Sequence, residues 1–415
     1  MNESLSLEKL KAAISGNAAA VRSVTRLQPA GGPGSKVFPP THSGGVYAWE
    51  MRRIGNEVVP TVLLDSVQSQ ANRMEQALLE ALHANKLELP ILAVDFSKDF
   101  PDIGTVTTLD APHRIADALF VQSQFNGTKF RDSQIGQAFS GANIRNATAL
   151  FQYCPHALVF GVWDSTGSAG GHGNKIQRAL ESEITGINAQ KGLRTSSRLD
   201  PALRSNPQLY KSKDGTWTTD PDNAERDRDG NATKYEKKLS NLNLGNVTPD
   251  FVRYDPQDKR SLRTMYEEIR VGDVLPGGIT IDYAIQMTVL SLPALRRLRF
   301  PVDRKETRDR NDAARTLLAT LALAAITHLR EQGYDLRSRC LLIPEGDTPF
   351  ELIANDGEID KFPLTTDGAD KLFHEALDQA KASGLPWEEK IITLTPEQRL
   401  LDAVRKSREA KGLEE

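Results

Sequence analysis

Apolar and polar positions along this 415-residue chain follow two different periods, and the changes of period mark its elements. Between residues 64 and 82, Leu64, Val67, Ala71, Met74, Leu78 and Leu82 recur every three or four positions, while Gln68, Gln70, Asn72, Arg73 and Gln76 fall off that stripe. The spacing predicts a helix with one core face and one amide-rich face, opened by Asp65 as cap with Gln68 three residues on. Short apolar runs at 91–96, 119–125, 158–163, 278–281 and 340–343, each bounded by Pro, Gly or Asp, predict buried strands. A long apolar helix is predicted over 312–332, starting behind Asn311 and stopping at Gly333, where a residue without a Cβ takes the left-handed conformation. Strands mixed with helices at irregular spacing predict an α+β fold rather than a doubly wound sheet.

Three stretches break both periods. Residues 29–36 are crowded with Gly and Pro and read as a loop or arm between Arg26 and Lys36. The Gly-rich segment 164–178 follows a predicted strand over 157–163 and opens a predicted helix over 175–184. Its glycines let the backbone approach a ligand, and Lys175 and Arg178 add positive charge, which suits a phosphate cradle. Taken alone, these residues read first as a flexible connection whose glycines only pack. The stretch 195–270 is poor in apolar residues, with 13 basic against 13 acidic residues between Asp200 and Arg270. Such a segment builds no core of its own, so it is a linker or an insertion ordered on a partner.

Charge changes the picture next. The net charge is −3, but residues 341–415 hold 17 acidic against 9 basic side chains, a net of −8, which leaves +5 for residues 1–340. A body this weakly basic binds a polyanion locally, not as a purely electrostatic DNA binder. A third basic cluster, Arg296, Arg297 and Arg299, interleaves with Leu295, Leu298 and Phe300, so that part is anchored while arginines project. Two distant cysteines, Cys154 and Cys340, supply neither a disulfide framework nor a zinc pattern, and the polar, acidic N-terminus is not a signal peptide. A cytoplasmic protein without membrane contact is expected.

Enzyme signatures are sparse. There is no Gly-Lys-Ser/Thr phosphate loop, no Gly-x-Ser-x-Gly elbow and no His-Glu-x-x-His, and the carboxylates form no two-metal grouping. His172 is the one histidine in a loop that reads as ligand-facing, suited to a phosphate or sugar hydrogen bond. No cofactor, metal or catalytic residue is expected, and a phosphate-handling enzyme built on the loop 164–178 is the alternative. Aromatic residues make up 6% of the chain and the aromatic signature of an ordinary RNA-recognition domain is missing, so any RNA would be held by its backbone.

Segments 26–41, 64–75, the Gly-rich segment running into Lys175, Ile176, Gln177 and Arg178, and 295–301 together resemble the backbone subunit of the CRISPR type I-G (formerly I-U) Cascade complex, in the RAMP superfamily. The likeness runs in order over roughly residues 20–345. It implies a modified RNA-recognition (ferredoxin-like) palm with large insertions: palm over 1–194 and 271–345, a thumb-like insertion over 195–270, and an acidic C-terminal segment over 346–415. It further implies a non-catalytic subunit that oligomerises along a guide RNA (crRNA), beside neighbouring copies and other Cascade subunits, and presents the guide for pairing with target DNA. The matching positions carry the candidate RNA contacts Arg26, Lys36, Gln68, Gln70, Asn72, Arg73, His172, Lys175, Gln177 and Arg178, followed by Arg296, Arg297 and Arg299.

Overall fold

The computed structural model describes residues 4–43, 46–166, 175–193, 199–237, 239–242, 244–246 and 276–409. The described residues fall into two compact units, one within 1–40, 48–189 and 281–415 and a second within 41–47 and 190–280.

The first unit opens with helix α1 (Leu7–Ser15) and strand β1 (Ala20–Pro29), then a hairpin of β2 (Trp49–Ile54) and β3 (Glu57–Asp65). Helix α2 (Val67–His83) follows, then the short paired strands β4 (Val162–Trp163) and β5 (Lys175–Ile176), and β6 (Leu180–Ile187). The chain returns with β7 (Tyr283–Ser291), the short α3 (Leu292–Arg296), the long α4 (Arg308–Gln332), β8 (Tyr334–Arg337), β9 (Cys340–Pro344) and α5 (Thr366–Ala382).

In the main sheet the strands lie in the order β8-β9-β1-β7-β6-β3-β2, all antiparallel. Four strands and two helices, taken along the chain as β1, α2, β6, β7, α4 and β9, place the first strand between the fourth and third, with the second outermost. That is the ferredoxin-like order 4-1-3-2, so the fold is α+β and compatible with an RNA-recognition palm carrying insertions. The hairpin β2–β3 extends the sheet beyond β6.

Strand alternation decides which face is core. Val21 and Leu27 of β1, Leu180 and Ile184 of β6 and Ala284 and Leu290 of β7 point inward beneath α2 and α4, while Arg22, Val24 and Arg26 lie on the other face. The register pairs Ala20 with Ser291 and Leu180 with Leu290, so the starts of β1 and β6 share one end of the sheet with the end of β7. Arg26 pairs with Ile285, six residues on, or about 20 Å away at ~3.3 Å per residue.

Helix α4 is buried almost all round, from Asn311 to Leu329, which explains its nearly unbroken apolar sequence. It starts at Arg308 behind the cap Thr307, one turn before the expected start, and stops at Gly333 with φ 81°. Helix α2 is capped by Ser66, one residue after the expected Asp65. The C-terminal segment is no detached tail: α5 packs on α4 through Phe373, Ala376 and Leu377, and strand Ile392–Pro396 pairs in parallel with Leu92–Asp95 in a second, five-stranded sheet.

Three expected elements differ. Of the run 119–125 only Ser123–Phe125 is a strand; Ala118–Val121 before it is a short helix capped by Asp117. Residues 156–160 are a short helix, not a strand, and only Val162 and Trp163 are extended. Residues 175–187 are β5 and β6, not a helix: β6 buries Leu180, Ser182 and Ile184 while Glu181 is exposed, a two-residue period that a helical reading overlooked.

The second unit carries the stretch expected to lack a core. Its described part is three small strand pairs, Thr41–His42 with Val46–Tyr47, Gln190–Leu193 with Pro276–Thr280 and Tyr210–Lys211 with Trp217–Thr218, around a few buried side chains such as Leu209, Ala224 and Ile279. The abundant Asp residues act locally. Asp214, Asp220 and Asp227 each accept a backbone N–H two residues on, which is the Asx-turn chemistry of loops.

Candidate nucleic-acid interface

The expected contact residues fall into two groups at opposite ends of β1, with a few turned inward. At the end shared by the starts of β1 and β6, the β4–β5 pair is pinned by packing. Val162 and Ile176 are 6% and 3% exposed and paired, so Trp163 and Lys175, paired beside them, face out. The turn into this pair needs Gly161: its φ is 85°, and a Cβ there would lie 3.0 Å from the Arg178 backbone nitrogen. The Lys175 Nζ lies 5.6 Å from the centre of the Trp163 ring. The exposed Gln177 accepts a hydrogen bond from Arg297 at 2.9 Å, which joins β5 to the end of α3.

Beneath this surface the other cations are committed to structure. Arg178 Nε donates to the Phe160 carbonyl at 3.1 Å, and burial, then repulsion from Arg114, holds its pKa below the usual value. Arg296 donates to the Ala18 carbonyl at 2.9 Å and anchors the loop after α1; burial lowers its pKa. Arg299 donates to the Arg296 carbonyl at 2.6 Å and pairs with Glu306 at 3.2 Å. Its backbone pairs with a turn that carries the exposed Ile144 and Arg145, which places Arg145 near the same end. Arg131, half-buried, holds Asp164 bidentately at 2.9 and 3.0 Å; burial would raise that carboxyl, but the bonds from Arg131 and Thr166 outweigh it and keep its pKa low.

At the other end, the stretch 29–36 is a tight turn: Gly32 N donates to the Pro29 carbonyl, Ser35 N to the Gly32 carbonyl, and Ala30 N to the Leu341 carbonyl. Lys36 is exposed just beyond it. Nearby, Arg339 stacks over Phe38 at 4.1 Å. Gln68 and Asn72 are exposed on α2, while Arg73 donates to Asp65 at 3.0 Å and to the Leu336 carbonyl. Asp65, fully buried, also accepts from Arg337 at 3.1 Å and from Gln70 at 2.6 Å. Arg26 lies on the solvent face of β1, over the Tyr283 ring at 3.5 Å and paired with Glu345.

Gln70 is turned into the core. Its carbonyl accepts from Ser182 at 2.9 Å and Gln286 at 2.8 Å, in a buried chain that continues to Thr288 and Tyr334. His172, with the rest of 167–174, lies outside the described residues. Arg145, Arg337 and Arg339 went unnoticed in the sequence. They stand apart from any run of charge, and only long-range pairing brings them to the others.

The alternative, a phosphate-handling site on the loop 164–178, has its centre at 167–174, outside the described residues. Among the described residues the segment after the Gly-rich loop is β5 and β6, not the helix whose N-terminus that chemistry would use. Cys154 and His156 touch at 3.4 Å, yet burial pushes the thiol up to about 12 and the imidazole down to about 3, so near neutral pH neither a thiolate nor an imidazolium forms there. Beside them Arg114 grips Glu75 at 2.6 and 2.7 Å, and burial raises that carboxyl to about 7 against the pull of the guanidinium. Among the described residues no cluster of His, Cys, Asp and Glu suits a metal ion, and no helix is long and apolar enough to cross a membrane.

The fold and this surface define a class, an α+β protein compatible with an RNA-recognition palm, with cations and one aromatic ring displayed at one end of its sheet. Residues 21–191, a stretch that contains β1, α2 and the β4–β5 pair, match the family described as CRISPR-associated protein GSU0053. The likeness to a CRISPR-associated subunit thus holds on an independent comparison and supports a role in CRISPR defence. No curated protein matches the chain.

Proposed function

We propose that this chain is a non-catalytic, guide-RNA (crRNA)-binding backbone subunit of a type I Cascade surveillance complex. Copies of it line up along the guide and present its bases for pairing with target DNA in antiviral defence. The observation that carries the reading is the convergence of Lys175, Gln177 and Arg297 on one solvent-facing end of a 4-1-3-2 sheet, in a chain that matches a CRISPR-associated family. Two cations with a hydrogen-bonding amide between them suit adjacent phosphates of one strand. Arg178, Arg296 and Arg299 stiffen the floor beneath. The mixed charge of the sheet face, where Arg22 pairs with Glu351 and Arg26 with Glu345, favours a localised track over a general polyanion surface.

Binding of single-stranded RNA by the full chain at low salt, with and without Lys175→Ala and Arg297→Ala together, tests this. The native chain retains RNA and multimerises on it. The double variant binds more weakly, with a salt dependence shallower by about 1.4, from ~0.7 per lost phosphate contact. A native chain that at low salt neither retains RNA nor assembles on it refutes the proposal.

A further inference from the structure

Trp163 is the most exposed of the four tryptophans, at 58% against 40% for Trp217, with Trp49 and Trp387 less exposed still. Its exposure is dictated, not accidental. The register that buries Val162 and Ile176 turns Trp163 and Lys175 outward together, and Gly161 and the Arg131–Asp164 pair fix the chain on either side. A large flat ring is therefore held at the surface by packed neighbours, beside an ammonium at 5.6 Å, and two residues beyond that lysine the exposed Gln177 is bonded to Arg297.

We propose that Trp163 is a stacking platform for one nucleobase of a bound single strand, with Lys175 and Arg297 taking the phosphates that flank that base. This rests on the guide-RNA reading above and adds a base contact to what was otherwise a grip on the backbone. Base stacking on an indole is the stronger contact, and a surface cation–π contact the weaker, so a base displaces the Lys175 ammonium from the ring and leaves it for the phosphate. Stacking tolerates every base, because each has a π face. The platform therefore holds a guide of any sequence, which a subunit repeated along varied guides requires.

The test compares an oligouridylate with an abasic ribose-phosphate strand of equal length, both at low salt, against the full chain. In a Trp49→Phe, Trp217→Phe, Trp387→Phe background, Trp163 is the sole indole, and its fluorescence is quenched by the oligouridylate and not by the abasic strand. In the otherwise native chain, Trp163→Ala lowers affinity for the oligouridylate about tenfold (about 1.4 kcal/mol), leaves the abasic strand unaffected, and Trp163→Phe restores part of the loss. Equal affinity for the two strands, or an unchanged Trp163→Ala variant, removes the stacking site and leaves the guide-RNA reading standing. Binding of neither strand overturns both. Quenching that tracks protein concentration without RNA assigns the ring to a contact between copies and likewise overturns the inference.

Discussion

Replacing Gln70 by Ala would strip bonds from three buried partners at once: the Asp65 carboxylate, the Ser182 hydroxyl and the Gln286 amide. A buried polar group left unpaired costs ~1–3 kcal/mol, so the variant loses about 2–4 kcal/mol in chemical denaturation. RNA affinity per folded molecule stays at the native level. If stability held and affinity fell, Gln70 would belong to the RNA contact instead. The residue marks what a stripe pattern leaves out. Gln70 lies off the apolar stripe of α2 and so reads as surface, but strands β6 and β7 set Ser182 and Gln286 beneath it, partners more than a hundred positions away. Local runs of cations were legible, as Lys175, Arg178 and the 296–299 cluster illustrate. Their division was not, because which arginine anchors a carbonyl and which stays exposed depends on burial that only the fold decides. Arg296 and Arg297 are neighbours in the chain and take opposite roles.

The β4–β5 pair depends at the element scale on one backbone conformation. Gly161 has a left-handed φ and its Cα faces Arg178 N and the Ile176 carbonyl so closely that an added Cβ would sit at 3.0 and 3.2 Å. Gly161→Ala therefore combines conformational strain of ~1–3 kcal/mol with a steric clash. Expected is a loss of about 2–4 kcal/mol in thermal or urea unfolding, together with weaker RNA retention as Trp163 and Lys175 lose their register. A variant with native stability and native RNA binding would show that the turn tolerates a side chain and that the pair does not depend on it. The helices α2 and α4 and the strands at 92–95 and 340–344 were readable from the pattern and appear where expected, within a few residues. The runs at 119–125 and 158–163 were not. The apolar run at 158–163 has no period of its own, and packing against α4 wound its first half into helix while pairing with β5 extended its end.

The scale of the whole molecule settles how the acidic C-terminal segment relates to the rest. The excess of negative charge after residue 341 was plain in the composition, but composition says nothing of the apolar residues set between those charges. Phe350 and Phe362 stack at 5.8 Å; Leu372, Phe373 and Leu377 close over α4; Leu394 completes the second sheet; and His328 of α4 meets Asp370 of α5 at 2.8 Å. The charges occupy the outer faces, with Asp367, Glu375 and Asp378 exposed on α5. A chain ending at Pro344 would uncover the partners of at least six large apolar side chains, each worth ~1.5–3 kcal/mol when buried. That sum matches or exceeds the ~5–15 kcal/mol by which a typical domain is stable. Such a truncation is expected to aggregate or to melt without a cooperative transition, whereas a merely appended tail would leave the melting temperature of the remainder unchanged. Neutralising Asp367, Glu375 and Asp378 to Asn or Gln separates the two roles of the segment. It keeps the core, so the melting temperature stays within a few degrees, and salt-dependent assembly on RNA then reports whether the outer charges touch a neighbouring copy.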